Sequence, residues 1–231
     1  MTTMKVAVFG TGIVGQVIAS RLVGLGHNVT IGTRDVNKTL VRTEKDVYGN
    51  PPFGEWKKQN KSVNLGTFTE AAATAEIIFN CTSGQASVDA LKQAGEENLR
   101  GKIIIDVANP LDFSKGMPPI LSPGNTDSLG ELIQRTFPET RVVKTLNSMN
   151  CLLMVNPAAI SVDHNVFVSG NDAAAKSVAK EILKSFGWQE KNMIDLGDIT
   201  TARATEQLLP IWVRLYGVLK TPMFNFRIVV G

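Results

Sequence analysis

Near the start of this chain, a strand-like segment runs directly into a glycine-rich turn and then into a helix. The apolar run is Lys5–Phe9, the turn reads Gly10-Thr-Gly-Ile-Val-Gly15, and apolar residues then recur at helical spacing up to Leu22. A Gly-x-Gly-x-x-Gly turn between a strand and a helix is typical of proteins that bind the diphosphate of a dinucleotide. The segment therefore predicts the first unit of a Rossmann-type fold and a dinucleotide site at its turn.

Each glycine of this turn has its own expected role. Gly10 permits the tight bend out of the strand, Gly12 lets a diphosphate approach the backbone, and Gly15 lets the helix pack closely on the strand. The unpaired N–H groups at the start of the helix, at the positive end of its dipole, would face the diphosphate. A purely structural glycine turn is the alternative.

The end of the second predicted strand, Asn28–Gly32, indicates which dinucleotide is preferred. Folds that bind NAD commonly place an acidic residue about 20 residues after the first glycine, where it binds the ribose. This chain instead has Thr33 and Arg34, with Lys38 about one helical turn further on. Arginine offers a planar fork of donors to phosphate oxygens, so we predict NADP(H). Alternatively, Thr33 or Asp35 caps the next helix while Arg34 is solvated, or Asp35 binds the ribose in another register.

Composition argues against several other classes of protein. Hydrophobic residues make up 43% and charged residues 19%, as in ordinary globular proteins. The net charge of +3, without a run of Lys and Arg, argues against a nucleic-acid partner. No apolar run approaches the ~18 residues that span a bilayer. Cys81 and Cys151 have neither metal-ligand nor disulfide spacing. We expect a cytoplasmic protein with no metal, no membrane segment and no signal peptide.

Strand-like and helix-like segments alternate along the chain, as a doubly wound sheet requires. Six further strands are predicted at Val63–Leu65, Glu76–Cys81, Lys102–Val107, Arg141–Thr145, Asn165–Ser169 and Met193–Leu196. We predict an α/β fold, a Rossmann-type doubly wound and mostly parallel sheet with a small C-terminal helical lobe. The NADP-binding domain is expected at residues 1–150, and the small lobe packed on it at residues 151–231.

Ligands of such sheets lie beyond the carboxyl ends of the strands, which selects the rest of the site. The glycine turn and Thr33-Arg34 should hold the adenosine half of the cofactor. The remaining predicted cofactor-binding residues, which should line the ribose and nicotinamide or face a second substrate, are Thr82, Ser83, Gly84, Ala108, Asn109, Pro110 and Asn147. Capping a helix or closing a turn is the alternative for Thr82, Ser83 and Asn109.

The sequence offers no catalytic residue of the usual kinds. His27 and His164 have no nucleophile nearby in sequence, and we expect a helix-end position for His27 and a surface position for His164. Tyr216 and Lys220 have the Tyr-x-x-x-Lys spacing of short-chain dehydrogenases, but they lie close to the C-terminus and the glycine pattern differs. Direct hydride transfer between two ring cofactors needs neither acid nor base, since the protein supplies orientation.

Two segments interrupt the alternation. Tyr48–Trp56 contains turn formers and three aromatic residues, and we interpret it as a surface loop over the adenosine end of the site. In the C-terminal stretch, Pro210 should kink a helix or mark its true start. That helix carries an apolar stripe that must be buried, either on the Rossmann domain or in a homodimer: Leu208, Trp212, Leu215, Tyr216 and Leu219.

Four segments together resemble a known family, the deazaflavin-dependent NADP oxidoreductases, which pass hydride between NADPH and an 8-hydroxy-5-deazaflavin coenzyme. They are Lys5–Gly15, Gly32–Arg34, Val143–Asn147 and Leu208–Pro210. The resemblance implies a Rossmann domain with a small C-terminal lobe and a second cofactor in the cleft between them. It also implies that the pyrophosphate of the cofactor contacts Thr11, Ile13 and Val14. The 2′-phosphate would contact Thr33, Arg34 and Lys38.

Three functions stay open at this point. The first is an NADPH-dependent oxidoreductase whose acceptor is a deazaflavin or flavin; domains resembling this one also bind NADPH in flavin-using membrane ferric reductases. The second is a small hydroxyacid, imine or pyrroline-carboxylate type reductase, although such enzymes carry a long helical domain for which this chain has too few residues. The third is a non-catalytic NADPH sensor or partner-binding protein, consistent with the missing acid and base.

Overall fold

The computed structural model describes residues 2–45 and 49–231, and an eight-stranded sheet forms its centre. In chain order the strands are β1 Lys5–Phe9, β2 Asn28–Thr33, β3 Asn64–Thr67, β4 Ile77–Asn80, β5 Ile103–Asp106, β6 Leu111–Asp112, β7 Ile120–Leu121, β8 Arg141–Thr145, β9 Val166–Ser169 and β10 Met193–Gly197. The order across the main sheet is β10-β9-β8-β5-β4-β1-β2-β3, while β6 and β7 form a separate hairpin.

Helices connect these strands and cover both faces of the sheet. They are α1 Ile13–Gly24, α2 Val36–Val41, α3 Phe53–Gln59, α4 Phe68–Thr74, α5 Gly84–Ala94, α6 Glu96–Leu99, α7 Leu129–Thr136, α8 Cys151–Val155, α9 Ala173–Phe186, α10 Ala202–Glu206 and α11 Leu208–Leu219. Short 3₁₀ turns lie at Pro157–Ala159, Glu190–Asn192 and Ile199–Thr201. In the described part of the chain, no helix is both long enough and apolar enough to cross a membrane.

Strand β1 shows how the three layers arise, because successive side chains of a strand point to opposite faces. Val6 and Val8 pack in a core with α1, α8 and α9, whereas Ala7 and Phe9 pack in a second core with α4, α5 and α7. All four side chains are at most 2% exposed. A strand buried on both faces explains the nearly continuous apolar run at Val6–Phe9.

Strand direction brings the predicted site residues to one edge. Six strands, β1, β2, β3, β4, β5 and β8, run parallel to one another, and β9 is antiparallel to β8. The carboxyl ends of these six strands therefore lie on the same side as the amino ends of β9 and β10. The predicted fold class and all eight predicted strands are confirmed. Residues 166–197 extend the same sheet, and the division at residue 150 stays a prediction.

The structure corrects the interpretation of the segment after β2. Tyr48 lies outside the described residues, but Phe53–Gln59 form helix α3 rather than a surface loop. Phe53 is 3% exposed and packs in the core with α1, and Gly54 lies close to the Leu40 carbonyl, where a Cβ would come within 2.5 Å of the oxygen. The two-residue strands of the β6–β7 hairpin were not predicted, since they are too short to show an alternating pattern.

Candidate active site

The glycine turn has a backbone shape that requires glycine at two positions. Gly10 has φ +116°, and a Cβ there would lie 2.6 Å from the Cys81 carbonyl oxygen. Its N–H donates to the Gly32 carbonyl at 3.2 Å. A Cβ on Gly15 would lie 2.2 Å from the Gly10 carbonyl oxygen. The first and third glycines therefore allow the turn and the close packing of α1, as expected.

The second glycine faces open space. Gly12 is exposed, occupies the N-cap position of α1, and a Cβ there would meet no atom within 4 Å. Among the described residues, no side chain caps the first turn of α1, which begins with the half-buried Ile13 and Val14. The Gln16 amide donates to the Thr11 carbonyl at 2.9 Å and holds the turn closed. The first N–H groups of α1 are thus available to an anion that approaches over Gly12.

At the end of β2, the structure separates the residues that cap from the residue that is free to bind. Asp35 caps α2 by accepting from the Lys38 N–H at 2.9 Å, and Lys38 Nζ lies 3.8 Å from the same carboxylate. Thr33 does not cap, because it is buried with its hydroxyl 2.8 Å from the Thr39 hydroxyl. Arg34 is exposed and forms no ion pair with any described residue. A guanidinium is therefore available beside the glycine turn.

The loop after β4 is held by side-chain hydrogen bonds, and its backbone lies close to the loop after β5. The Thr82 hydroxyl donates to the side-chain oxygen Oδ1 of Asn80 at 2.7 Å and lies 2.8 Å from the Ser87 hydroxyl. Ser83 is exposed at the N-cap position of α5, yet its side chain makes no capping hydrogen bond. A Cβ on Gly84 would lie 2.2 Å from the carbonyl oxygen of Asn109. The loops after β4 and β5 are therefore in direct contact.

Asn109 and Asn147 join the ends of β5 and β8. The Asn109 amide donates to the Asn147 carbonyl at 2.8 Å, and the Asn147 amide donates to the Asn109 side-chain oxygen at 3.0 Å. Between β8 and Asn147, the buried Leu146 adopts φ +63°, a strained conformation for a leucine. Pro110 accepts from the Ser122 N–H at 2.8 Å and so attaches the β6–β7 hairpin. The two asparagines hold the strand ends together as a pair.

Three charged side chains lie buried beneath this edge, and the sequence analysis did not identify them as a group. Lys144 Nζ lies 2.9 Å from the Asp106 carboxylate and 2.7 Å from the Glu206 carboxylate. It also donates to the Ala108 carbonyl. Burial lowers the pKa of the Lys144 ammonium, but the two carboxylates outweigh burial, and the net effect is a raised pKa. Lys144 is therefore a charged link between β5, β8 and α10.

Backbone and amide donors satisfy the carboxylates of this buried group. Glu206 accepts from the N–H groups of Leu129 and Gly130, at 2.9 and 3.1 Å, at the start of α7. Asp106 accepts from the Asn80 amide at 2.8 Å and from the Ala108 N–H at 3.2 Å. A helix N-terminus favours an anion, which helps to offset the burial of two carboxylates with one ammonium. The sequence signal was a lysine that follows two valines in the strand Arg141–Thr145.

The C-terminal segment lies at the same edge of the sheet. Trp212 stacks on Tyr216 and on Phe224, with ring centroids 5.7 and 5.3 Å apart. Pro210 is the third residue of α11 and lies in its first turn. Of the two expectations for Pro210, a kink or a helix start, the structure shows the helix start. In the tail, the Asn225 amide donates to the Asn165 carbonyl at 2.9 Å and lies 4.0 Å from the Met149 sulfur. The tail therefore packs on the loops around β8 and β9.

The histidines and thiols show no arrangement for acid–base or nucleophilic chemistry. His164 is 5% exposed, so the expected surface position was wrong; its ring contacts the Pro157 carbonyl at 3.0 Å and packs edge-on against Trp188. His27 is also buried, which lowers its pKa. Burial, with a smaller contribution from Asp106, raises the pKa of the Cys81 thiol. Within residues 2–45 and 49–231, no group of His, Cys, Asp or Glu could hold a metal ion.

A doubly wound sheet with an open glycine turn at the start of α1 defines a dinucleotide-binding protein of the Rossmann class. Residues 5–110 match the family model described as NADP oxidoreductase, coenzyme F420-dependent. The crystal structure of a candidate F420-dependent NADP reductase from Arthrobacter sp. FB24 superposes with a TM-score of 0.94 at 58% identity, covering 98% of this chain and 100% of that one. The chain belongs to the family of coenzyme F420-dependent NADP oxidoreductases.

More distant relatives share the same region. The F420-dependent NADP reductase of Methanothermobacter marburgensis is 27% identical over 92% of this chain and 92% of its own. Metalloreductase STEAP3 of Rattus norvegicus is also 27% identical over 90% of this chain. The matched region is only 38% of the length of that protein. A reductive aminase from Aspergillus terreus superposes with a TM-score of 0.62 at 18% identity and covers 95% of this chain and 63% of its own, so it shares the fold alone.

Proposed function

We propose that this chain binds NADP(H) at the glycine turn and transfers hydride between NADP(H) and a deazaflavin or flavin-type cofactor, with coenzyme F420 as the first candidate. The observation that carries the proposal is an exposed arginine, Arg34, at the end of β2, beside a glycine turn whose second glycine faces open space. A diphosphate suits the turn, and a 2′-phosphate suits the guanidinium. The names of the family and of the Methanothermobacter relative support the choice of acceptor.

The residues present fit a dinucleotide at this edge. The free N–H groups of α1 and the open side of Gly12 suit the diphosphate, and the exposed Arg34 suits the 2′-phosphate. Thr33 and Lys38 stay predictions for the 2′-phosphate, since Thr33 is buried against Thr39 and Lys38 lies 3.8 Å from Asp35. The cofactors, when bound, supply the redox chemistry, a hydride exchanged between the two rings. The contribution of the protein is to hold them in place, and we propose no catalytic side chain.

The nicotinamide half would lie along the next three strand ends. These ends are fixed by the buried Lys144 and by the Asn109–Asn147 pair, so the surface that they form is rigid. The half-buried Thr82 and the exposed Ser83, at the N-cap position, directly precede α5. The acceptor would lie between this surface and the C-terminal segment, whose aromatic stack is half exposed.

Anaerobic NADPH oxidation with coenzyme F420, FMN, FAD and ferric chelates tests the proposed reaction. We expect the fastest turnover with F420, and Arg34→Ala should weaken NADPH binding by about 10- to 100-fold with little effect on NADH, because a charge-assisted contact contributes ~1.5–3 kcal/mol. Arg100→Ala is the matched control, since it removes an exposed arginine before the amino end of β5.

Two outcomes would contradict the proposal in different ways. Tight NADPH binding without turnover on any acceptor would identify an NADPH sensor or partner-binding protein instead of an enzyme. An equal loss of NADPH and NADH affinity in Arg34→Ala, or no loss, would reject Arg34 as the 2′-phosphate ligand while leaving the reaction class open.

We also propose that two copies of the chain form a homodimer. The apolar stripe of α11 is not buried within one copy: Tyr216 is 48% exposed and Leu219 is 51% exposed, while Leu208, Trp212 and Leu215 are half-buried. A second copy would cover these side chains and complete the wall of the acceptor cleft. In this proposal residues 1–150 bind NADP(H), and residues 151–231 form the acceptor side. The cytoplasmic location stays a prediction.

A further inference from the structure

A basic residue not identified from the sequence, Arg42, reaches the glycine turn from the far end of α2. Arg42 follows the last residue of that helix, and its guanidinium Nη2 lies 3.5 Å from the Thr11 hydroxyl. Arg42 is exposed and far from Thr11 in sequence, so the folding of α2 back over the turn is what brings them together.

The three basic residues of this segment lie at different positions relative to the turn. Arg34 precedes the Asp35 N-cap of α2, Lys38 lies within α2, and Arg42 follows its last residue. Arg34 stands at the end of β2, and Lys38 lies beside the Asp35 cap at 3.8 Å. Of these three residues, Arg42 is the one whose side chain contacts the glycine turn in the described part of the chain.

The space next to this contact suits an anion. Gly12 follows Thr11, and a Cβ on Gly12 would have no neighbouring atom within 4 Å among the described residues. The first turn of α1 comes next, and none of their side chains caps it. An anion over Gly12 would lie between the N–H groups of that turn and the Arg42 guanidinium. Guanidinium and backbone N–H groups are both strong donors to phosphate oxygens.

We propose that Arg42 binds the diphosphate of the dinucleotide and thereby closes the phosphate turn from the solvent side. This inference rests on the proposed function, because it assumes a dinucleotide at the glycine turn. It assigns different phosphates to two arginines: Arg34 binds the 2′-phosphate, and Arg42 binds the diphosphate. Arg42 therefore contributes to affinity for NADPH and NADH alike, whereas Arg34 distinguishes the two.

Binding measurements with partial ligands separate the two roles. Dissociation constants are measured by calorimetry for NADPH, NADH, ADP-ribose and 2′-AMP, with the wild type, Arg42→Ala, Arg42→Lys and Arg34→Ala. Arg42→Ala should weaken NADPH, NADH and ADP-ribose by about 10-fold and leave 2′-AMP unchanged. Arg34→Ala should weaken NADPH and 2′-AMP but leave ADP-ribose unchanged. Arg42→Lys should recover part of the loss, since it keeps the charge without the planar fork.

Lys61→Ala is the control for charge alone. Lys61 is exposed in the loop that enters the amino end of β3, so its removal takes away the same unit charge at the opposite edge of the sheet. The proposal requires that this variant bind all four ligands like the wild type. An equal weakening in Lys61→Ala and Arg42→Ala would reduce the Arg42 effect to net charge and overturn the assignment.

The remaining outcomes distinguish this inference from the proposed function. If Arg34→Ala shows its expected pattern while Arg42→Ala binds NADH and ADP-ribose normally, the inference fails and the proposed function stands. If Arg42→Ala weakens only the ligands with a 2′-phosphate, Arg42 belongs to the 2′-phosphate site and the diphosphate assignment is wrong. If the wild type binds none of the dinucleotides, the proposed function itself fails.

Discussion

At the residue scale, the three glycines of the turn are under different constraints although one motif contains them all. Gly10 and Gly15 are constrained by the protein itself, because a Cβ on either would lie within 2.6 Å of a carbonyl oxygen. Gly12 has room for a Cβ and an ordinary φ of −74°, so the fold does not require glycine there. We therefore attribute the glycine at position 12 to a ligand that packs against the backbone there.

Alanine substitution should therefore lower stability at Gly15 and weaken ligand binding at Gly12. Gly15→Ala should lower the free energy of unfolding by about 1–3 kcal/mol, because its Cβ must displace the Gly10 carbonyl or the helix. Gly12→Ala should leave stability unchanged and weaken NADPH binding at least several-fold. Urea denaturation and NADPH titration of both variants make the comparison, and a Gly12→Ala protein that binds NADPH like the wild type would show that no ligand passes there.

At the element scale, the buried charges explain how the C-terminal helices are attached to the sheet. Lys144 on β8 joins Asp106 on β5 to Glu206 on α10, and Glu206 in turn accepts from the first N–H groups of α7. Arg203 on α10 adds a second connection to α7 through its ion pair with Glu131. The start of the C-terminal segment is thus positioned by the same lysine that holds the Ala108 carbonyl at the site.

Removal of this lysine should destabilise the protein strongly. Lys144→Met leaves two buried carboxylates without their cation, and a broken buried pair costs about 3–5 kcal/mol. Adding Glu206→Gln should recover part of the loss, because one negative charge is removed while the N–H groups of α7 keep an acceptor. Lys184→Met, in a partly exposed pair with Glu181, is the control and should cost under about 1 kcal/mol. Similar unfolding free energies for Lys144→Met and Lys184→Met would refute the role of the buried group.

Local patterns predicted most of this fold and part of its site. The strands of the main sheet, the glycine turn and the position of Pro210 in the first turn of α11 each depend on residues that are neighbours in sequence, so propensity and spacing were sufficient. The partners of Lys144, and the contact between Arg42 and Thr11, depend on how separate elements pack. A lysine in the middle of a buried strand signals that it has a partner, but not which one, and an arginine after a helix signals neither.

At the scale of the whole molecule, the apolar surface is concentrated in the C-terminal segment. Within α11, only Leu209 is buried, while Ile211, Val218 and Leu219 are about half exposed or more. The tail adds Ile228, Val229 and Val230, which are 52%, 79% and 86% exposed. The Trp212 indole N–H is buried and has no hydrogen-bond partner among the described residues. A surface of this kind is typical of an interface, and a second copy of the chain can supply the matching apolar face.

Val218→Glu tests the dimer without disturbing the packing within one chain. Val218 is 76% exposed, so a charge there should leave a monomeric fold intact, whereas in a two-fold interface it places two carboxylates in a buried apolar patch. Light scattering at micromolar concentration should give twice the chain mass for the wild type and a single chain mass for Val218→Glu, with NADPH binding at the glycine turn largely kept. Val41→Glu, at an apolar side chain 74% exposed on α2, should stay dimeric.

Trp212→Glu extends the test to the half-buried part of the stripe, where the tail also packs. In the proposed dimer it should give a folded monomer, because the half-buried ring would border the interface in addition to stacking on Phe224. Unfolded or aggregated Trp212→Glu, together with a wild type that runs as a monomer, would place α11 in the core of a single chain and remove the dimer from the proposal. A dimeric Val218→Glu would instead move the interface away from α11, since no apolar two-fold contact tolerates a pair of carboxylates at its centre without loss of affinity.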